Sequence, residues 1–270
     1  MLSSHSFFDL ADNPFAGIFA GTEYVWEGLT KIKQYLLETL QPNAAAIRRG
    51  ETAVMQTAVL HEGKIYFGGF TIDRSGKKPV VSMEGEVLPR ASIIYAGSYL
   101  MDDLISIGKG SVVEPGAMIS GPAVIGDHCE VRQGAYIRGD VLIGSGCVIG
   151  HTTEIKSSVM LGGSKAGHFA YIGDSILGRV NLGAGTKLAN LKMIPSSVTI
   201  TVEGEKYDTG LRKFGAILGD GVETGCNSVT TPGSLLGKNT LLYPNTTARG
   251  YYPPDTFIKC RQNIKKGSLR

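Results

Sequence analysis

The sequence is poor in cysteine, in charge and in long apolar runs. Its 270 residues include four cysteines, and no two of them form a Cys-x-x-Cys pair. Cysteines this scattered argue against a disulfide framework or a structural zinc, and they fit a reducing compartment. The N-terminus has no basic segment followed by an apolar run, and no stretch approaches the roughly 18 apolar residues of a membrane helix. We therefore expect a cytoplasmic protein without a structural metal or membrane contact.

The charge balance excludes one class of partner. Charged residues make up 19% of the chain and the formal net charge is +3 at pH 7, which is too little to predict binding to nucleic acid. A local basic tail occupies residues 261–270, directly after Lys259 and Cys260. It is either a solvated terminus or a site for an anionic ligand. Glycine is abundant, with 37 residues, which indicates many tight turns.

Large aliphatic residues recur at every sixth position through the middle of the chain. The row consists of Ile107, Val113, Ile119, Ile125, Val131, Ile137, Ile143, Ile149, Ile155 and Leu161. The residue two positions earlier is mostly small, and a second row of the same kind runs from Leu218 to Ala248. A period of six matches neither a helix nor an ordinary strand. It predicts one short strand and one turn per repeat, with three repeats closing a coil of about 18 residues.

The predicted fold is therefore mainly β, with a parallel β-helix of hexapeptide repeats over residues 86–260. Crossovers between parallel strands are generally right-handed, but known proteins with this repeat usually coil left-handed, and we expect the same here. Cys129 and Cys147 occupy small inward positions one coil apart. We interpret them as core residues rather than reactive thiols.

Two segments fall outside the repeat. Residues 1–85 predict a small α+β unit with an amphipathic helix at Glu23–Leu40, and we interpret it as a cap or oligomerisation module. Its strands are predicted at Ala53–Leu60, Lys64–Thr71 and Lys77–Ser82. The insertion at residues 192–212 contains the alternating run Val198–Val202. It predicts a β-hairpin that projects from the β-helix and borders the functional site.

Residues 18 apart lie on the same side of such a β-helix, one coil above the other. Arg138 and Lys156 are related in this way and fall in outward positions, with Tyr136 and Glu154 beside them. Two stacked cations repel each other unless an anion lies between them, and a phosphate group would supply one. The alternative is a surface ladder of charges that Glu154 balances.

His168 lies in the stretch that begins at Gly162, where the register of the repeat is lost. A break in a strict repeat directs a side chain to a place that the repeat would not reach. His168 is therefore either a catalytic residue or a loop histidine without a task. His128 and His151 are interpreted as turn residues.

The residues around His168 resemble those of a known family. The similar runs are Gly162-Gly-Ser-Lys-Ala-Gly-His168-Phe-Ala-Tyr171-Ile-Gly-Asp174 and Val180-Asn-Leu-Gly-Ala-Gly-Thr186. They resemble the C-terminal acetyltransferase half of the bifunctional enzymes that make UDP-N-acetylglucosamine, and the similarity covers about Leu88–Ile258. The resemblance implies a left-handed β-helix that transfers an acetyl group from acetyl-CoA to glucosamine 1-phosphate. It also implies a homotrimer with active sites shared between neighbouring subunits.

The resemblance implies roles for individual residues. His168 matches the general base, which takes a proton from the attacking amine while backbone N–H groups stabilise the oxyanion. The matches to binding residues are Arg138, Lys156 and Lys213 for the sugar phosphate, Tyr171 and Asn181 for the acceptor pocket, and Ala184, Asn190 and Cys226 for acetyl-CoA.

The chain also departs from that family. It has no glycine-rich uridyltransferase motif, it reads Asn190-Leu191 where the family has an Asn-Tyr pair, and its segment Lys192–Leu211 is longer. The predicted function is an acetyl-CoA-dependent N-acetyltransferase for an amino-sugar phosphate or nucleotide sugar, in UDP-N-acetylglucosamine and cell-envelope sugar metabolism. The alternative is a non-catalytic sugar-nucleotide-binding or scaffold trimer. A metal-dependent hydratase is disfavoured, because His151 and His168 lack the spacing of its histidine ligands.

Overall fold

The computed structural model describes residues 2–261 and 265–267, so residues 262–264 and 268–270 of the predicted basic tail lie outside the described part. The chain winds through about nine coils of a three-sided parallel β-helix. The predicted fold class, mainly β with a left-handed β-helix of hexapeptide repeats and a small α+β N-terminal unit, is confirmed.

Each side of the β-helix is one sheet, and we call the sheets faces A, B and C. Face A consists of Tyr99–Leu100, Met118–Ser120, Tyr136–Arg138, Glu154–Lys156, Tyr171–Gly173, Lys187–Leu188, Val229–Thr230 and Thr247–Ala248. Face B consists of Lys64–Tyr66, Ala58–His61, Ser92–Ile94, Val112–Val113, Glu130–Val131, Val148–His151, Lys165–His168, Asn181–Leu182, Glu223–Thr224, Leu241–Leu242 and Phe257–Ile258. Face C consists of Ile105–Ile107, Ala123–Ile125, Val141–Ile143, Ser158–Met160, Ile176–Leu177, Ala216–Leu218, Ser234–Leu236 and Tyr251–Tyr252.

The remaining elements lie outside the three faces. The α-helices are Ser4–Phe7, Gly28–Thr39 and Ala45–Arg48, and the 3₁₀ turns are Ala16–Phe19 and Val25–Glu27. The further strands are Phe70–Asp73, Val80–Met83 and Glu86–Val87 in one small sheet, and Thr199–Val202 with Glu205–Asp208 in a hairpin. None of the helices in residues 2–261 and 265–267 is long and apolar enough to cross a membrane.

The core of the β-helix is the stack of inward aliphatic side chains that the six-residue repeat predicts. Ile119, Ile137 and Ile155 follow one another up face A, and all three are completely buried. Burying a side chain of this size contributes about 1.5–3 kcal/mol. Cys129 and Cys147 are also completely buried, as expected for core residues.

The coil shortens above Ile155, which corrects the predicted register. Val141 pairs with Ser158 and Ile143 with Met160, a spacing of 17 residues instead of 18. Met160 therefore enters the central core, whereas Leu161, predicted for that row, packs in a separate outer cluster. The shortening lies in the turn at Ser157, which has a left-handed backbone (φ 44°).

The outer cluster covers face C with two segments from distant parts of the chain. The N-terminal segment contributes Phe8 and Trp26, and the hairpin insertion contributes Ile200 and Tyr207. The Trp26 ring lies edge-to-face with Tyr207, with 6.3 Å between ring centroids. The expectation that the hairpin projects from the β-helix is therefore wrong. It lies flat on face C, because one side of the hairpin is apolar and the outward side chains of face C are apolar too.

The N-terminal end of the β-helix is closed by the segment between the long helix and face B. Ala44, Ile47 and Val54 belong to the same core as the inward rows. Strand Ala58–His61 then pairs antiparallel with Ser92–Ile94, the first face B strand of the repeat. The role of residues 1–85 as a separate cap or oligomerisation module remains a proposal.

Candidate functional site

A group of charged and polar residues lies at the edge where the chain leaves face A for face C. It consists of Arg138, Lys156, Asp174 and Asn190, and we include Glu154, which begins its strand in register with Tyr136 and extends to Arg138, in this charged cluster. Arg138 Nη1 lies 2.6 Å from Glu154 Oε1, and Lys156 Nζ lies 2.9 Å from Asp174 Oδ2. The Asn190 amide also donates to Asp174. Arg138 and Lys156 are thus each paired with a carboxylate, which is the ladder arrangement that the sequence left open.

The two ion pairs differ in their exposure to water. The side chains of Lys156 and Asp174 are each 15% exposed, whereas those of Arg138 and Glu154 are 44% and 35% exposed. The hydrogen bond that Arg138 donates to Glu154 raises the pKa of the guanidinium above its ordinary value. An incoming anion therefore meets a fully charged and accessible Arg138 first.

Tyr171 connects the charged cluster to the other edge of face A. Its ring lies along its own strand, and its hydroxyl is 3.3 Å from Asn190 Oδ1. The path crosses Gly173, where a Cβ atom would lie 2.7 Å from the phenol oxygen and 2.8 Å from Asn190 Nδ2. Burial raises the pKa of the Tyr171 phenol, so the hydroxyl remains a hydrogen-bond donor.

Lys213 reaches the charged cluster through the backbone. Leu191 and Lys213 form an isolated antiparallel bridge, and the Phe214 N–H donates to the Asn190 carbonyl oxygen at 2.9 Å. The insertion leaves and returns at this bridge. Although the hairpin lies on face C, the two ends of the insertion therefore place exposed Lys213 beside Asn190.

His168 lies at the opposite edge of face A, at the turn from face B, which we call the A/B corner. It ends strand Lys165–His168, its side chain is exposed, and its imidazole makes no hydrogen bond with any described residue. Ala184 and Cys226 occupy the same corner on the next two coils. The Gly185 N–H donates to the His168 carbonyl at 3.0 Å, and the Asn227 N–H donates to the Ala184 carbonyl at 2.8 Å.

The predicted site residues thus fall into two groups on one face. Arg138, Lys156, Asn190 and Lys213 lie at one edge, while His168, Ala184 and Cys226 lie at the other, about 10 Å away by the length of a three-residue strand. Tyr171 spans the two groups. Asn181 belongs to neither group, because it is exposed on face B, where it pairs with Lys165 and Glu223.

Sequence reasoning missed Asp174, which accepts from two members of the charged cluster. Its position is a left-handed turn (φ 46°) directly after the face A strand. It lies 18 residues after Lys156, so the same spacing that relates Arg138 to Lys156 was the signal for this pair. Among the described residues, no group of three or more His, Cys, Asp or Glu is arranged to hold a metal ion.

Parts of the chain are similar in sequence to known proteins. The model of the GMPPB C-terminal domain matches residues 119–241. A bifunctional sugar-1-phosphate nucleotidylyltransferase/acetyltransferase of Sulfurisphaera tokodaii is 42% identical over 83 residues, which is 30% of this chain and 21% of that protein. The bifunctional protein GlmU of Thermosynechococcus vestitus is 32% identical over 162 residues, 59% of this chain and 28% of that protein.

The resemblance predicted from the sequence is confirmed. The chain spans less than a third of the length of these relatives. Among solved structures, the UDP-N-acetylglucosamine acyltransferase from Campylobacter jejuni is 20% identical with a TM-score of 0.43, covering 60% of this chain and 62% of that chain.

Proposed function

We propose that the chain is an acetyl-CoA-dependent N-acetyltransferase that acts on an amino-sugar phosphate or on the sugar of a nucleotide sugar. One observation carries the proposal: an exposed imidazole and a cluster of cations lie at the two edges of one face, joined by the Tyr171 phenol. An amino sugar with a phosphate group has the same two chemical ends, an amine and an anion. Relatives whose names include an acetyltransferase or GlmU support the same class of reaction.

The cations supply the binding step of the proposal. Arg138 and Lys213 are exposed and reach the phosphate first, and Lys156 adds a third positive charge from its half-buried position. Glu154 and Asp174 keep Arg138 and Lys156 oriented when no anion is bound. Breaking these two ion pairs costs free energy, and the hydrogen bonds to a phosphate with several acceptor oxygens offset that cost. Tyr171 and Asn190 line the path between the phosphate and the amine, so Asn190, which the resemblance matched to acetyl-CoA, is proposed here to contact the substrate. Asn181 on face B remains a prediction for the acceptor pocket.

The chemistry then takes place at the A/B corner. The substrate amine attacks the carbonyl carbon of the acetyl thioester, and its proton passes to a ring nitrogen of His168. The tetrahedral oxyanion is stabilised by backbone N–H groups, and its collapse breaks the C–S bond and releases coenzyme A. Ala184 and Cys226, stacked above His168, mark the proposed course of acetyl-CoA along the corner.

Face A is an open surface in one chain, which supports a shared site. The largest described cavity, about 610 Å³, is lined by His61, Lys64 and Lys109 near the other end of the β-helix, away from His168. A homotrimer in which a neighbouring β-helix covers face A would close the site and exclude water. This assembly and the cytoplasmic location belong to the proposal.

The test replaces the proposed base. His168→Asn should lower coenzyme A release from acetyl-CoA and glucosamine 1-phosphate by a factor of at least 100, the usual range for loss of a general base. His128→Asn is the matched control, since His128 lies at a different corner of the β-helix and should keep full activity. Unchanged turnover in His168→Asn with an intact fold would exclude the proposed mechanism.

A non-catalytic sugar-nucleotide-binding trimer is the second candidate. The pairing of Arg138 and Lys156 with carboxylates favours it, because a structural ladder needs no ligand. This candidate predicts that sugar nucleotides raise the melting temperature while no amino sugar supports coenzyme A release. Release of coenzyme A by the wild-type protein decides between the two candidates.

A further inference from the structure

The residue after His168 has a backbone conformation that its side chain does not favour. Phe169 is left-handed, with φ 54°, a region that bulky residues rarely occupy. Other coils place Thr152, Gly185, Asn227 and Asn245 at the equivalent turn of the A/B corner, all with positive φ. Glycine and asparagine adopt this conformation easily, whereas the bulky Phe169 and the β-branched Thr152 are the costly residues of the series.

The Phe169 ring is not buried in a core that would explain this cost. The residue is 53% exposed, and its ring stands between two imidazoles. It lies edge-to-face with His151, with 5.3 Å between ring centroids, and at 6.1 Å from the ring of His168. His151 and His168 are register partners on adjacent coils. The three rings therefore form a stack on the outside of the corner.

The lower end of this stack is anchored to the backbone. His151 Nδ1 lies 2.9 Å from the carbonyl oxygen of Gln133. Because a carbonyl oxygen only accepts, Nδ1 must carry the proton, and the orientation of the His151 ring is fixed. The Phe169 N–H also donates to the His151 carbonyl oxygen at 2.9 Å. Phe169 is thus held from two sides, while the His168 imidazole has no hydrogen bond of its own among the described residues.

From these contacts we infer that Phe169, supported by His151, is a positioning residue that holds the His168 imidazole against the acceptor amine. The inference rests on the proposed function, since it gives His168 a reaction to perform. It explains why a strained aromatic residue is placed where glycine or asparagine would fold more easily. A misplacement of a catalytic group by about 1 Å costs up to a hundredfold in rate, so the orientation of an otherwise unbonded imidazole matters.

The inference predicts opposite effects on stability and on rate. Phe169→Asn relieves the backbone strain, so the melting temperature should stay equal or rise by about 2 to 4 °C. The same change should lower kcat about tenfold or more and leave the KM for acetyl-CoA unchanged. Thr152→Asn is the matched control, because it makes the same replacement in the same conformation one coil below. It should raise stability without changing kcat.

A double-variant comparison tests whether the rings act as one unit. His151→Asn should lower kcat less than Phe169→Asn, and the double variant should lose no more than Phe169→Asn alone. Additive losses would contradict the stack. A kcat within twofold of wild type in Phe169→Asn would also contradict the inference. So would a loss of kcat that is accompanied by a lower melting temperature or by loss of the oligomer in light scattering.

A second measurement separates this inference from the proposed function. The imidazole Cε1–H resonance of His168 should show nuclear Overhauser contacts to the Phe169 ring, and Phe169→Asn should shift it. If the wild-type protein transfers no acetyl group, the proposed function fails, and this resonance alone decides the positioning. An unshifted resonance would overturn the inference whether or not the wild-type protein is active.

Discussion

Arg138 and Glu154 face each other across two adjacent coils, with 2.6 Å between Nη1 and Oε1. The two side chains are 44% and 35% exposed, so water screens their attraction. An exposed pair of this kind contributes about 0–1 kcal/mol to stability. Its position beside Lys156 is therefore better explained by binding than by folding, so loss of the pair should affect binding and leave stability nearly unchanged.

Arg138→Ala should weaken the binding of the sugar phosphate with little effect on folding. We expect the KM for glucosamine 1-phosphate to rise about tenfold to a hundredfold, the effect of losing a charge-assisted hydrogen bond. Arg132→Ala is the control, because Arg132 forms an equivalent 2.7 Å pair with Glu130 on face B. Steady-state kinetics and thermal melts of both variants make the comparison. Equal KM values in the two variants would show that Arg138 does not bind the sugar phosphate.

Gly173→Ala should disturb the link between the two edges of face A. The added methyl group meets the ends of two flexible side chains, the Tyr171 hydroxyl and the Asn190 amide, so the fold should survive while both are displaced. Loss of their hydrogen bond predicts a rise of about fivefold in KM for the amino-sugar phosphate. Gly68→Ala is a suitable control, since nothing lies within 4 Å of its added atom. Wild-type kinetics in Gly173→Ala would mean that Tyr171 does not contribute to the site.

The buried thiols predict both a labelling pattern and a pH dependence. Burial raises the pKa of Cys129 to about 11 and that of Cys147 to about 12, from 9.0. At pH 8 a thiol reagent should label exposed Cys226 and Cys260 in the folded protein and all four cysteines after unfolding. Fast labelling of the two core thiols would contradict the packing of the inward rows.

The same shifts determine how stability changes in alkali. The thiols ionise at lower pH in the unfolded chain than in the folded core. The stabilisation from the neutral buried thiols is therefore complete below pH 9 and is lost as pH rises towards 11 and 12. Urea unfolding of the wild type and Cys147→Ala over this range should show a steeper loss in the wild type. Parallel curves would show that the shift is absent.

The order of the inward rows was predictable because each six-residue unit repeats the same local geometry. Ile107 to Ile155 obey it, but Leu161 does not, because the turn at Ser157 is one residue shorter. Met160 and Leu161 are both apolar, so the pattern itself could not reveal the slip. Because of the same slip, Gly173 is the register partner of Lys156, and the Asp174 carboxylate reaches Lys156 from the turn that follows.

The packing of the hairpin insertion could not be predicted from the sequence either, because it brings together segments that are distant in the chain. Alternating apolar residues around Val198–Val202 predicted a hairpin, but not the face on which it lies. The outward residues Leu142, Ile176 and Ile217 of face C are apolar and buried. Their apolar character indicated a covered face, but the more regular inward rows dominated the pattern. Apolar outward residues mean that something covers the sheet, although they do not say which segment does so.

By itself, the sequence determined the β-helix, its inward rows and the outward positions of Arg138 and Lys156, since a strict local period leaves one way to bury the aliphatic residues. Only the tertiary structure decided which carboxylates pair with those cations, where the insertion packs, and that His168 and the charged cluster occupy opposite edges of one face. These relationships join residues on different coils. They depend on the length of every turn between those residues, and a change of one residue moves each later side chain to a new neighbour.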